Sequence, residues 1–186
     1  MHRQHIKGFS LIELMITVAI MAIVLMVGIP SFTGTINKSG VASSINDIQT
    51  SLTEARSEAI TRGLTVSVCS SNDQASCSGT WSDGWILFED ENENGILEAT
   101  TDMISVTQGL NAENELRLVA TSTSMIQYQN SGYADQTATF IGCPGDKDTQ
   151  YSRAVIVSSS GMVRKSRDSD ANNIHEDSTG TDLTCP

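Results

Sequence analysis

The stretch FSLIELMITVAIMAIVLMVGIP, residues 9–30, decides how this chain is read. Its apolar run from Phe9 to Ile29 is 21 residues long, which matches the ~20 that a helix needs to cross the hydrocarbon core of a bilayer. No charged residue lies between Leu14 and Ile29, and Glu13 is the one interruption of the run. The preceding MHRQHIKG, residues 1–8, carries Arg3 and Lys7. Positive charge on that side places residue 1 in the cytoplasm and everything after Pro30 outside. A cleaved secretory signal fits less well, because the apolar stretch is too long and Gly28-Ile29-Pro30 is not a small-x-small cleavage site. A plain signal anchor accounts for the hydrophobicity but not for Glu13.

A carboxylate one turn into an apolar span costs several kcal/mol, and such groups are usually paired and functional. No basic residue follows Glu13 within helical reach. Its partner must be the chain's own new N-terminus or a group on another subunit. Cleavage after Gly8 would give Phe9 a free amine able to neutralise the Glu13 of a neighbour. The segment Lys7-Gly8-Phe9-Ser10-Leu11-Ile12-Glu13-Leu14 resembles the prepilin peptidase site of type IV pilins and type II secretion pseudopilins. That resemblance implies cleavage between Gly8 and Phe9, N-methylation of Phe9, and an assembly role for Glu13, then the fifth residue. Pro30 stands where these proteins commonly carry a helix-breaking proline. Loss of residues 1–8 would leave 9 basic against 22 acidic residues.

Beyond Pro30 the pattern turns amphipathic. Val41, Ile45, Ile48, Leu52, Ala55 and Ala59 recur at spacings of four and three, one apolar stripe of a helix. Glu58 and Arg62 form an i,i+4 pair, and Gly63 is a natural stop. The two halves predict one long, broken N-terminal helix of about 80 Å. From Leu64 the signals are strand-like, beginning with the alternation of residues 64–69. Further strands are expected at 85–89, 103–107, 116–120, 125–128, 138–141, 154–158 and 162–165, separated by Ser-, Gly-, Asn- and Asp-rich turns. The expected fold is therefore α+β, a long helix packed on an antiparallel sheet or two small ones. The divisions are a leader at 1–8, a transmembrane and assembly helix at 9–30, an amphipathic half at 31–63, a β-rich head at 64–165, and a polar, flexible tail at 166–186.

The helix exit EARSEAITRG, residues 54–63, the segment WSDGWILF, residues 81–88, and DENENG, residues 90–95, are similar to the GspH/FimT family. Its members are minor pilins of type IV pili and minor pseudopilins of type II secretion. The resemblance implies a type IV pilin-like fold and a structural role in a pilus or pseudopilus. It also implies partnership with other pilins in a helical fibre and with the prepilin peptidase/N-methyltransferase. The expected location is the inner membrane, single-pass, with the head periplasmic. Pilus and secretion systems share every motif present here.

An exported head is an oxidising context for Cys69, Cys77, Cys143 and Cys185. Cys69 and Cys77 flank a short polar loop and are expected to pair. Cys143 and Cys185 would then tether the tail, although four cysteines allow three pairings. Asp90, Asn92, Asn94 and Glu98 have part of the spacing of a calcium loop, but Thr101 stands where a bidentate Glu is needed. An acidic turn with Asn-Gly at its tip is preferred. Arg164, Lys165 and Arg167 form the one dense basic cluster after Pro30. It loosely resembles the Gly-Arg-x-Arg element of DNA-binding FimT-group members, though Met162 and Val163 follow Gly161. The alternative function, a DNA-binding minor pilin for natural transformation, rests on that cluster alone, and three cations would support only weak, salt-sensitive binding. The formal charge of −11 disfavours broad contact with nucleic acid or anionic lipid unless a local basic patch opposes the field. His2 and His5 would leave with the leader and only His175 would remain, so no catalytic base, metal centre or cofactor site is expected, and the protein is read as not an enzyme.

Overall fold

The computed structural model describes residues 10–109, 117–120 and 124–185; the side chains of 27–33, 36, 37 and 117 lie outside that description. The chain divides into two units, Met1–Ile36 and Asn37–Pro186, with α1 (Leu11–Arg62) running through both. The expected interruption at Pro30 does not occur, since α1 continues across it. A proline removes one backbone hydrogen bond and crowds the preceding turn, while the bonds on either side can carry the helix on. Ser10 opens α1, its hydroxyl accepting from the Glu13 N–H at 3.3 Å. Gly63 ends it at φ 71°, with its N–H donated to the Ala59 carbonyl at 3.0 Å.

In the second unit the predicted stripe is the buried face of the helix. Val41, Ile45, Ile48, Leu52, Ala55 and Ala59 are all at most 2% exposed. They pack on two four-stranded antiparallel sheets. The first has the order β3 (Met103–Gln108), β2 (Gly84–Glu89), β1 (Val66–Ser70), β5 (Met125–Tyr128). The second has the order β4 (Arg117–Ala120), β6 (Ala138–Cys143), β7 (Arg153–Val157), β8 (Val163–Lys165).

Strand alternation assigns each side chain to one of two faces. Val66, Val68, Trp85, Leu87, Ile126 and Tyr128 from the first sheet meet the helix, as do Ala138, Phe140, Val155 and Val157 from the second. Gly142 allows β6 to approach Val41 and Ile45 closely; a Cβ there would lie 3.1 Å from Ile45. Trp81 joins the sheets, its ring standing edge-on to Phe140 at 4.7 Å and tilted against Trp85 at 6.4 Å. Trp85 donates its indole N–H to the Ser51 hydroxyl on α1 at 2.9 Å. The two tryptophans of the WSDGW segment are thus core residues.

Each sheet has a second, smaller apolar cluster on the face away from the helix. Cys69, Ile86 and Phe88 are covered by Leu97 and Met125. Ile141, Cys143 and Ala154 are covered by Leu183 and Cys185. Residues 166–185 therefore do not trail as the flexible tail expected. They form a lap across the second sheet, with bridges Arg167 to Glu176 and Glu176 to Asp182 and with Leu183 2% exposed. The sequence there is polar because its order comes from one leucine, one disulfide and many turn hydrogen bonds.

Arg56 on α1 donates to the carbonyls of Gly132 (2.9 Å) and Ser160 (3.3 Å), clamping two turns. Those turns touch so closely that a Cβ on Gly161, at φ 75°, would sit 1.9 Å from the Gly132 oxygen. Gly63 has a similar φ but open space around it. Gly63→Ala should thus cost only the left-handed backbone penalty, about 1 kcal/mol. Gly161→Ala should cost at least twice that, because backbone must move. Denaturant titration of the full chain in mild detergent, followed by Trp fluorescence, checks the ordering; equal losses would contradict the clamp.

Candidate functional site

Residues 11–26 of the first unit form a helical surface made almost wholly of side chains an aqueous protein would bury. Leu11, Met21 and Met26 are 78%, 66% and 79% exposed, and the other large apolar groups of this stretch are more than half exposed. Such a surface demands a partner, lipid or protein. Among the described residues no helix is long and apolar enough to cross a membrane. The described side chains of the apolar run stop at Met26, whereas the run in the sequence continues to Ile29. Gly8 and Phe9, the expected processing residues, lie outside the described residues. Glu13 is exposed on the first turn, where a negative charge also suits the positive end of the helix dipole.

The structure joins Cys69 to Cys77 and Cys143 to Cys185, with Cα separations of 5.5 and 5.8 Å. These are the two pairs read from the sequence. The first closes the loop beside β1; the second pins the C-terminal lap to β6. Within the small loop, Asp73 accepts from the N–H groups of Ala75 and Ser76 and from the Ser76 hydroxyl. Those bonds, that of the Ser76 hydroxyl foremost, hold its carboxyl far below the usual range.

The partial calcium spacing folds as a hydrogen-bonded turn. Asp90, 2% exposed, accepts from the N–H groups of Asn94 (3.0 Å) and Gly95 (2.9 Å), from the Ser67 hydroxyl (2.6 Å) and from the Gln127 amide (2.8 Å). Glu98 accepts from the amides of Asn92 and Asn94 at 2.9 and 3.1 Å. The acidic loop is thereby stitched to β1 and β5, and its buried carboxylate is satisfied by protein donors. An open cavity of about 230 Å³ lies beside it, lined by Glu89, Asp90, Glu91 and Glu98 among others.

The basic cluster is not brought onto one face. Lys165 donates to Asn46 on α1, and its neighbour on β8, Arg164, points the opposite way by strand alternation. Arg167 starts the lap and is followed at once by Asp168. His175 sits in the lap with its Nδ1 3.0 Å from the Ser166 hydroxyl, and burial followed by the nearby Arg153 charge pushes its pKa down.

Three features escaped sequence reasoning. Tyr128, in the core, has a buried hydroxyl without a hydrogen-bond partner among the described residues, and burial raises its pKa strongly. Asp168, Asp170 and Glu176 bring carboxylate oxygens within 4.8 Å of one another. All three serve as turn acceptors, Glu176 from the Ser169 N–H, Asp168 from Ala171 and Asn173, and Asp170 from Asn172. Residues from α1, β7 and the lap, Asp168 among them, line a pocket. Its members are scattered along the chain, and only a supposition about where the lap lies would have collected them.

A long N-terminal helix with an exposed apolar front, laid across antiparallel sheets in a disulfide-bonded head, defines a type IV pilin-like protein. The family model described as Type II transport protein GspH matches residues 44–161, and the prokaryotic N-terminal methylation motif matches residues 3–29. The chain belongs to the GspH family, and it is a structural subunit of the minor pilin and pseudopilin kind. The same fold is found in the crystal structure of the type IV minor pilin FimU of Pseudomonas aeruginosa (strain PAO1). That chain is 19% identical with a TM-score of 0.57, and the match covers 78% of this chain and 95% of that one. It is found too in the minor pseudopilin EpsH from the Type 2 Secretion System of Vibrio cholerae, at 16% identity and a TM-score of 0.50, covering 67% and 94%. No curated protein matches the chain.

Proposed function

We propose that this subunit is made as a prepilin, held in the inner membrane by residues 9–30 with its head in the periplasm, and then drawn into a type IV pilus or a type II secretion pseudopilus. Prepilin peptidase would cut between Gly8 and Phe9 and methylate the new amine. In the fibre, the apolar front of α1 exchanges lipid for the helices of neighbouring subunits, and Glu13 pairs with the Phe9 amine of an adjacent subunit. The head contributes shape and contacts rather than catalysis. The observation that carries this reading is the row of large apolar side chains exposed along residues 11–26, interrupted only near its start by one carboxylate. A soluble role would leave that surface in water at a cost of roughly 25 cal/mol per Å².

The test is the N-terminus of the chain recovered from sheared surface fibres or from a pseudopilus preparation, made in cells that contain the peptidase. Mass spectrometry should find a chain beginning with methylated Phe9. A chain beginning at Met1, or one cut near Ala22, would overturn the proposal.

A further inference from the structure

The pocket between α1, β7 and the lap has a volume of about 250 Å³ and is lined by Lys38, Gln150, Tyr151, Arg153, Asp168 and His175 among others. Its chemistry departs from that of the surrounding head. The chain as a whole carries twice as many acidic as basic residues, yet this pocket gathers two cations and several neutral donors. Lys38 is exposed and has no hydrogen-bond partner among the described residues. Arg153 is half-buried and held by its own backbone, one guanidinium nitrogen donating to the carbonyls of Gln150 (2.9 Å) and Ser152 (2.7 Å). Its other N–H groups remain for a ligand.

His175 stands in the pocket wall with its Nδ1 3.0 Å from the Ser166 hydroxyl, which also accepts the Ala154 N–H at 2.8 Å. Asp168 lines the pocket and stands with Asp170 and Glu176, their carboxylate oxygens within 4.8 Å of one another. Each of the three is already engaged by backbone N–H donors, Asp168 by Ala171 (2.7 Å) and Asn173 (2.9 Å), Asp170 by Asn172 and Glu176 by Ser169. A fixed guanidinium, an exposed ammonium and neutral donors around a small cavity suit a tetrahedral oxyanion.

We infer that this pocket binds the phosphate of an anionic phospholipid headgroup. The source follows from position in the chain. Lys38 is the second residue of the unit Asn37–Pro186 and lies nine residues after Ile29, where the apolar run ends. If that run occupies the bilayer, phospholipid headgroups are the phosphates that the first residues of the head meet. This step rests on the membrane reading given above. The pocket supplies the local basic patch that an acidic head needs to approach an anionic surface. It would hold the head to the bilayer until the subunit leaves for the fibre.

The test uses the full chain in a neutral maltoside detergent, titrated with soluble dihexanoyl phosphatidylglycerol and, separately, with inorganic phosphate. Binding is read from the NMR signals of His175 and Tyr151. Phosphatidylglycerol should shift both, and Lys38→Gln, an exposed change, should weaken its binding about tenfold. Arg153→Gln should do the same, with Trp fluorescence confirming a folded head. No shift with either titrant, or a shift unchanged in Lys38→Gln, would overturn the inference. Inorganic phosphate binding as tightly as the lipid would overturn the lipid assignment. Saturation by a polyglutamate peptide and not by the lipid would assign the pocket to an acidic protein surface instead. Because the probe lipid is soluble, the result does not depend on insertion of residues 9–29, which alkaline extraction of vesicles measures separately.

Discussion

Glu13→Gln is expected to leave membrane insertion intact or improved while reducing incorporation into the fibre by about a hundredfold or more. Glu13 has two candidate roles, and glutamine separates them. In the first, it is the third helical residue after the Ser10 cap, whose hydroxyl accepts the Glu13 N–H. Glutamine serves at that position nearly as well as glutamate, so a capping role predicts almost no effect. In the second, its charge pairs with the Phe9 amine of a neighbouring subunit in an apolar setting. Removing one partner of a buried pair typically costs 3–5 kcal/mol, because the other charge is left uncompensated. That is a factor of roughly 10² to several times 10³ in an assembly equilibrium. Insertion should move the other way, since a carboxylate within an apolar span costs about 2.5–3.5 kcal/mol on insertion scales. Alkaline extraction of membranes reads the first quantity and immunoblots of sheared fibres the second. Wild-type levels of the variant in the fibre would leave Glu13 as a residue of the capped first turn and nothing more.

Much of the fold was legible because it follows from local periodicity. The stripe from Val41 to Ala59 has one dominant period, and every member is buried as expected. Strand positions were legible for the same reason, with bounds that shift by a residue or two. The strand expected at 64–69 forms as Val66–Ser70, and the one expected at 138–141 continues to Cys143. What was not legible depends on long-range contact. The lap shows no period, because among its described residues Leu183 is the one buried hydrophobic side chain and Cys185 makes its attachment. The oxyanion pocket could not be read either, since Lys38, Arg153 and His175 meet only after the lap has folded across the second sheet. Pro30 misled for the opposite reason, as a strong local signal that the surrounding helix overrides. The spacing from Asp90 to Glu98 is local and was legible as a turn signal, but its link through Ser67 and Gln127 to two strands was beyond local reading.

The lap also carries the largest expected effect on stability. Replacing Cys143 and Cys185 together by Ser should destabilise the head by about 4 kcal/mol on the loop-entropy model, given the sequence separation of 42. The same model gives only about 2.5 kcal/mol for Cys69 and Cys77, which are separated by 8. Serine is a mild replacement here, because Cys185 Sγ already lies 3.0 Å from the Ser152 hydroxyl. The structural consequences should differ as well. Without its tether the lap retains Leu183 and the Glu176 bridges, too little apolar burial to offset the entropy of ordering about twenty residues. Ile141 and Ala154 would then lose their cover, and trypsin should cut at Arg164, Lys165 or Arg167 in the double variant but not in the disulfide-bonded chain. Denaturant titration of the full chain in mild detergent measures the stability, using the fluorescence of Trp81 and Trp85. Losses equal to those of the Cys69/Cys77 variant, with residues 164–167 still protected, would mean that the lap is held by its turns and not by its tether.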